Sequence, residues 1–210
     1  MTDIYLASRS PRRRELLKQI GVRFEPLLIR LASTRAHDVD ELQHPGEPAD
    51  RYVERMAHEK AEHGVQVLSM RSLLPRPVLA ADTAVILDGE VLGKPADKAQ
   101  AGAFLRRLSG RTHEVRTAVA LGLPGGSAIG PGPRVLRALS ISTVTFRPLE
   151  ASEIDRYVAT GDPFDKAGGY GIQSLAGVFV ERLEGSYTGV MGLPLFETAQ
   201  LLKQAGIAVV

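Results

Sequence analysis

Hydrophobic positions along the chain follow two periods, one typical of β-strands and one typical of α-helices. Residues 4–7 form a short apolar run that predicts a buried strand, and residues 22–28 predict a second strand. Between them, Ser10 and Pro11 are typical of a helix start. An apolar helical face follows that start: Leu16, Leu17 and Ile20. The chain is therefore expected to begin with a strand, a helix and a strand.

The same two periods continue through the rest of the chain. Residues 49–68 predict a long helix, and two β-rich runs flank Asp88-Gly89, which is a strong hairpin signal. Further helices are predicted over 98–108, over 149–160 and from about Pro194, and further strands over 114–123, 135–146 and 177–183. Residues 30–48 and 124–133 have loop composition. Alternating helices and strands with hairpins predict an α/β fold built on a mixed β-sheet.

Composition narrows the function classes. A chain of 210 residues fits one sizeable domain or two lobes sharing a cleft. The absence of Cys excludes disulfides, thiolate nucleophiles and cysteine zinc sites. No apolar run is long enough for a signal sequence or a membrane span, so we expect a cytoplasmic protein with no membrane partner. The net charge of +2 and the aromatic content of 5% do not favour a nucleic-acid partner.

Four arginines surround the predicted start of the first helix: Arg9, Arg12, Arg13 and Arg14. A helix N-terminus already carries partial positive charge, so cations there are unfavourable. One interpretation is a solvated basic turn. The other is an anion site, in which backbone N–H groups, the Ser8 and Ser10 hydroxyls and the arginines bind a polyphosphate. Bound phosphate would remove the electrostatic cost.

Three further segments carry candidate chemistry. The segment "VLAAD" predicts a strand, and Asp82 in "AADT" comes directly after its apolar residues. Ligand sites of α/β sheets favour the carboxyl ends of strands, although a turn or capping role is the alternative. Lys94 in "GEVLGKP" is a candidate phosphate contact or an ordinary surface residue, because the segment lacks the spacing of a P-loop. The segment "DKAGGYGIQ" combines ionisable groups with closely spaced glycines, which suit either a ligand site or a plain turn.

Six segments in this order resemble the Maf family of nucleotide pyrophosphatases: "LASRSPRRRELL", "RYVERMAHEKA", "AADTAVILDGEVLGKP", "LSGRTHEVRTAVAL", "DKAGGYGIQ" and "VMGLPLFET". The resemblance covers nearly the whole chain. It implies a single Maf-like domain over residues 1–210, with an elongated mixed sheet, flanking helices and two lobes around a deep cleft, as in the Maf/ITPase-like fold. It also implies a possible homodimer. The implied activity is hydrolysis of nucleoside triphosphates to monophosphate and pyrophosphate, with a divalent metal cation such as Mg²⁺ or Mn²⁺.

The resemblance also assigns residues. It implies that Asp82 is the catalytic proton acceptor. Substrate discrimination falls on three positions: Arg12, Thr83 and Gln173. Phosphate handling falls on four positions: Ser8, Arg13, Lys60 and Lys94. The resemblance is closest to the branch that acts on dTTP, UTP and modified pyrimidine nucleotides.

One departure concerns the metal. Family members often have an acidic pair after the second strand, where this chain has Ser33, and the nearest acids are Asp38, Asp40 and Glu41. The metal ligands are therefore unassigned. The alternative function is a non-catalytic nucleotide-binding regulator of cell division or septum formation. Retention of Asp82 beside the phosphate-handling lysines favours the enzyme, because binding alone requires no base.

Overall fold

The fold is organised by one mixed β-sheet. The computed structural model describes residues 3–29, 43–125 and 133–209. Within these residues the strands are β1 (Ile4–Leu6), β2 (Phe24–Pro26), β3 (Val78–Leu87), β4 (Glu90–Leu92), β5 (Thr112–Leu123), β6 (Arg134–Phe146) and β7 (Val180–Glu184). The described strands form a seven-stranded sheet of order β2-β1-β3-β5-β6-β7, with β4 paired to β3. The α/β mixed-sheet prediction is confirmed.

Helices and short 3₁₀ turns connect these strands. The helices are α1 (Pro11–Gln19), α2 (Ala49–Met70), α3 (Lys98–Leu108), α4 (Ala151–Ala159), α5 (Tyr187–Met191) and α6 (Leu195–Gln204). The 3₁₀ turns are Asp162–Asp165, Ala167–Gly169 and Leu175–Phe179. No helix in the described part of the chain is long and apolar enough to cross a membrane.

The sheet changes direction at β3, and this change corrects one prediction. β1 runs parallel to β3 and pairs with Val78 and Leu79. β3 then continues to Leu87, because antiparallel β5 pairs with it as far as Ile86. Asp82 therefore lies in the middle of a long strand and not after its end, as the sequence pattern suggested. Asp82 nevertheless lies beyond the end of β1. Because β1 no longer pairs with β3 there, that edge of β3 is open and leaves space for a site.

Most other elements follow the sequence pattern. The hairpin is present, and both turn residues, Asp88 and Gly89, have the positive φ angles of 53° and 80° that a tight hairpin turn requires. The second strand is shorter than predicted, and residues 177–179 belong to a 3₁₀ turn that precedes β7. α5 was not predicted. Residues 30–42 and 126–132, within the two predicted loops, lie outside the described residues.

Helices cover the sheet on both faces, because successive side chains of a strand point in opposite directions. Ala80, Ala118 and Ala120 pack in the cluster that includes α2. The intervening residues pack with α1 and α6: Leu79, Ala81, Val119 and Leu121. Gly122 allows α2 to approach closely, since a Cβ there would lie 2.8 Å from the backbone oxygen of Ala61. This close contact fixes the height of α2 above β3, and so the position of Lys60.

Candidate active site

A cavity of about 380 Å³ opens where the start of α1, the middle of β3, the turns after α4 and the end of α5 meet. All eight residues that the sequence predicted for the site line this cavity: Ser8, Arg12, Arg13, Lys60, Asp82, Thr83, Lys94 and Gln173. They come from segments spread along the chain from residue 8 to residue 173. The structure thus places every predicted site residue around one space.

Asp82 and Lys60 form an ion pair at one wall of the cavity. The Lys60 Nζ atom donates to Asp82 Oδ1 at 2.9 Å, and the two side chains are only 14% and 16% exposed. β3 supplies the carboxylate and α2 supplies the ammonium group. In so little water, the attraction between opposite charges is stronger than at an open surface. Asp82 therefore stands beside a cation while its carboxylate borders the cavity.

Arg13 is held by neutral acceptors. Its Nε donates to the Gly192 carbonyl oxygen at 2.8 Å, its Nη1 to Ser8 Oγ at 3.2 Å and its Nη2 to Thr83 Oγ1 at 3.2 Å. Burial lowers the pKa of Arg13 from its ordinary value, and the Asp82 charge opposes that shift. The guanidinium is still cationic, because an arginine pKa starts far above neutrality. Its charge is available to an anion in the cavity.

Ser8 and Ser10 organise the N-terminus of α1. The helix begins at Pro11 as predicted, but the Ser10 side chain makes no capping bond. Instead, the Ser10 backbone N–H donates to Ser8 Oγ at 3.2 Å. Ser8 Oγ thus accepts from Ser10 and from Arg13, which leaves its own O–H to donate elsewhere. An open helix N-terminus beside a hydroxyl donor and a guanidinium is a suitable site for a phosphate oxygen.

Arg12 forms an ion pair with Asp165 from the opposite side of the cavity. Its Nη1 lies 2.8 Å from Asp165 Oδ2. The Lys166 Nζ donates to Asp165 Oδ1 at 2.6 Å and to the Asp162 carbonyl oxygen at 2.6 Å. Partial burial of Asp165 disfavours its charge, but hydrogen bonds from Lys166 and Arg12 outweigh this effect and lower its pKa. The charged pair connects α1 to the glycine-rich turn.

Asp162 connects the glycine-rich turn to α4 and to Ser174 by hydrogen bonds. Its Oδ2 accepts from Tyr157 Oη at 2.7 Å and from Ser174 Oγ at 2.8 Å. Partial burial opposes ionisation of Asp162, yet hydrogen bonds from Tyr157, Ser174 and Lys166 prevail and lower its pKa. Gly168 has a φ of +67°, and a Cβ there would lie 2.9 Å from Val85. These contacts hold Gln173 at the cavity wall.

Two predicted residues have no hydrogen bond to the rest of the described chain. Lys94 follows β4 and is exposed at the cavity, and Gln173 is half-buried there. Neither side chain has a hydrogen-bond partner among residues 3–29, 43–125 and 133–209. The ammonium group and the amide are thus accessible to a ligand.

The sequence profile of a family described as "Maf-like protein" matches residues 3–205. The chain belongs to this family. The match covers the whole described structure except its last four residues. The resemblance inferred from the six motifs is thereby confirmed.

Curated relatives extend this Maf assignment. The chain is 58% identical over 204 residues to a protein of Aromatoleum aromaticum named "dTTP/UTP pyrophosphatase", covering 97% of this chain and 95% of the relative. A protein of Dechloromonas aromatica with the same name is 51% identical over 203 residues, with 97% of both chains covered. Among solved structures, the Staphylococcus aureus Ham1 protein matches at 16% identity with a TM-score of 0.46, covering 69% of this chain and 72% of that one.

Sequence reasoning did not find Thr117, Asp162 or the pairing of Arg12 with Asp165. Thr117 is fully buried and bonds to Thr83. One signal could have found it, namely a lone hydroxyl residue in the apolar run "TAVAL". Within its described residues, this Maf protein has no cluster of three or more His, Asp or Glu side chains that could hold a metal ion. Residues 33–41, where the departure from the family lies, fall outside the described residues.

Proposed function

We propose that this Maf protein hydrolyses dTTP, UTP and modified pyrimidine nucleotides to the monophosphate and pyrophosphate. The observation that carries the proposal is the convergence of the Asp82 carboxylate with Arg13, Lys60 and Lys94 around a single cavity. A triphosphate needs several cations for its charge and one base for the attacking water. The names of the relatives at 51% and 58% identity support the same activity.

The proposed reaction uses these residues as follows. Ser8, Arg13, Lys60 and Lys94 bind the phosphate oxygens and place the α-phosphorus near Asp82. Water attacks the α-phosphorus, Asp82 accepts a proton from that water, and the bond to the β-phosphate oxygen breaks. The products are the nucleoside monophosphate and pyrophosphate. Positioning and charge stabilisation supply most of the rate enhancement in such phosphoryl transfers.

Base selection is assigned to a second set of side chains around the cavity. The Gln173 amide can both donate and accept, which matches the alternating donor and acceptor edge of a pyrimidine. Arg12 and Thr83 are the other two proposed discriminating residues. A site built for one edge leaves its own polar groups unpaired when another base enters. Discrimination against purines of about 10²-fold is therefore expected.

A divalent cation, Mg²⁺ or Mn²⁺, is part of the proposal. Mg²⁺ in phosphate-transfer sites usually takes one or two carboxylates, with phosphate oxygens and water as its other ligands. Asp82 fits that donor set, since its carboxylate borders the cavity beside the proposed phosphate site. When bound, the ion would neutralise charge on the phosphates. The cytoplasmic location, the homodimer and the two-lobed single domain also remain proposals.

A product-resolved screen tests the function. Purified protein with Mg²⁺ or Mn²⁺ is given dTTP, UTP, ATP, GTP, ITP and 7-methyl-GTP in H₂¹⁸O, and the products are analysed by mass spectrometry. We expect pyrophosphate release, fastest with dTTP and UTP, and ¹⁸O in the monophosphate. A profile led by 7-methyl-GTP or ITP would contradict the pyrimidine assignment. Binding of dTTP without any turnover would favour the regulator of cell division instead.

A further inference from the structure

Two threonines face each other across β3 and β5 beneath the cavity. Thr83 and Thr117 are register partners, and their Oγ1 atoms lie 2.9 Å apart. We propose that Thr117 is a positioning residue that orients the Arg13 guanidinium through the Thr83 hydroxyl. The inference rests on the proposed function only in that Arg13 is the group that binds the triphosphate.

The chemistry of the groups fixes the direction of each hydrogen bond that connects Arg13, Thr83, Thr117 and Gly189. An arginine N–H can only donate, so Thr83 Oγ1 accepts from Arg13 Nη2 at 3.2 Å. A carbonyl oxygen can only accept, so the Thr117 hydroxyl donates to the Gly189 oxygen at 2.7 Å. Each hydroxyl has one hydrogen, and that of Thr117 is already used. Thr83 must therefore donate to Thr117.

The fixed directions of these hydrogen bonds limit the contacts that Thr83 can make with a substrate. Its single hydrogen goes to Thr117 and one of its lone pairs goes to Arg13, so it has no hydrogen left to donate to a nucleobase. Toward a substrate Thr83 can therefore act only as an acceptor, and its other contribution to substrate choice is to position Arg13. Thr117 is buried, and its acceptor, the Gly189 carbonyl, lies within α5.

The α5 turn holds the guanidinium from two sides. The Gly189 oxygen fixes Thr117, and the Gly192 oxygen accepts directly from Arg13 Nε at 2.8 Å. Gly192 has a φ of +113°, a backbone conformation that favours glycine, and a Cβ at Gly189 would lie 2.9 Å from Ser140 Oγ. An arginine has five N–H hydrogens, of which three are used here. The other two are left to form a fork toward a phosphate group.

Replacing Thr117 by valine tests these hydrogen bonds without changing the shape of the side chain. Thr117→Val removes the donor to Gly189 and the acceptor for Thr83. The matched control is Thr112→Val, since Thr112 is also on β5 and also bonds a cross-strand threonine, Thr145, at 2.9 Å. We would measure binding of the non-hydrolysable α,β-methylene analogue of dTTP, and of thymidine, by calorimetry. Thr117→Val should weaken analogue binding about fivefold, the effect of one hydrogen bond, and leave thymidine binding unchanged.

The conservative variant and a double-mutant cycle separate positioning from a structural role. Thr117→Ser should restore analogue binding, and Thr112→Val should stay within twofold of wild type. In an Arg13→Lys background, which lacks the Nη2 donor, Thr117→Val should have no further effect. The same fivefold loss in both backgrounds would overturn the proposal, as would equal loss of analogue and thymidine binding.

Three outcomes need separate treatment. If Thr117→Val does not fold, Thr117→Ser and Thr117→Ala differ only in the hydroxyl, and their ratio of analogue affinities carries the same test. If wild-type protein binds the analogue but hydrolyses no triphosphate, the proposed function fails while the cycle still decides the role of Thr117. If wild-type protein does not bind the analogue at all, both proposals are wrong.

Discussion

Replacing Asp82 by asparagine should change binding and turnover in opposite directions. Asn keeps the shape of Asp and keeps an oxygen that can accept from Lys60, which lies 2.9 Å from the carboxylate. It removes the proposed proton acceptor, and it also removes a negative charge from a cavity that must receive a polyanion. Asp82 is also the proposed ligand of the divalent cation, so the binding comparison is made without that cation. Under this condition we expect tighter binding of dTTP, and with the cation added we expect much slower hydrolysis.

Coulomb's law sets the scale of the binding change. A carboxylate about 6 Å from a phosphate charge repels it by roughly 1–3 kcal/mol for effective dielectric constants between about 80 and 20. Side-chain exposures of 14% and 16% for Lys60 and Asp82 indicate partial access to water. A gain of about 1–2 kcal/mol, or roughly 5- to 30-fold in affinity, is then reasonable. Loss of a general base typically costs about 10²–10⁴ in rate, or about 3–5 kcal/mol in the barrier.

The assay combines calorimetric titration with the α,β-methylene dTTP analogue and single-turnover hydrolysis of dTTP. Asp88→Asn is the control, since Asp88 lies in the β3–β4 turn and is bonded to Arg111 outside the cavity. Asn is also well tolerated at its φ of 53°. Turnover of Asp82→Asn within tenfold of wild type would refute the role of Asp82 as proton acceptor. Weaker binding of the analogue would refute the charge argument.

Three further predictions concern single side chains. Lys94→Ala should weaken triphosphate binding by about 10- to 100-fold with little effect on nucleoside binding, because a charge-assisted phosphate contact contributes roughly 1.5–3 kcal/mol. Equal weakening of both ligands in calorimetry would mean that Lys94 does not bind the phosphates. Gln173→Glu should lower the ratio of kcat/KM for dTTP over GTP at least about tenfold, and an unchanged ratio would mean that Gln173 only shapes the turn. Burial lowers the pKa of His113 to about 4. Between pH 7 and pH 5 the unfolded chain therefore binds a proton at His113 that the folded chain does not. The free energy of unfolding, measured by urea titration, should fall by about 2 kcal/mol over this range. The His113→Gln variant should not show this dependence on pH.

Local patterns predicted the elements whose signals lie within one segment. The long helix α2 and the Asp88-Gly89 hairpin depend on apolar spacing and turn chemistry, and both were predicted correctly. α5 was not predicted, because a five-residue helix has no apolar period of its own. It is held by specific contacts instead, with the Ser186 hydroxyl accepting from the Gly189 N–H. The strand was ended too early at Asp82, because the residues that pair there, Ala118 opposite Asp82 and Thr117 opposite Thr83, lie more than thirty positions further along the chain.

The membership of the site was predicted better than its internal connections. The eight residues taken from the family resemblance all reach the cavity. The bonds among them depend on sheet register and on turn geometry. Thr83 meets Thr117 only because β3 and β5 pair with Asp82 opposite Ala118. A shift of one residue would turn the Thr117 side chain to the other face of the sheet. Such a relation cannot be obtained from either segment alone.

The four arginines at the start of α1 differ in whether the rest of the described chain gives them an acidic partner. Arg14 donates to the Arg9 carbonyl oxygen, and the three acceptors of Arg13 are two hydroxyls and a carbonyl, so none of them cancels a charge. Arg12 alone of the four forms an ion pair among the described residues, and its partner Asp165 is 57% exposed. An ion pair that open to water contributes at most about 1 kcal/mol. In the proposed function, a substrate therefore competes with Asp165 for Arg12, and its phosphates bind Arg13 without displacing any carboxylate. The excess positive charge at this helix start is unfavourable within the protein alone and becomes favourable once a polyphosphate is bound.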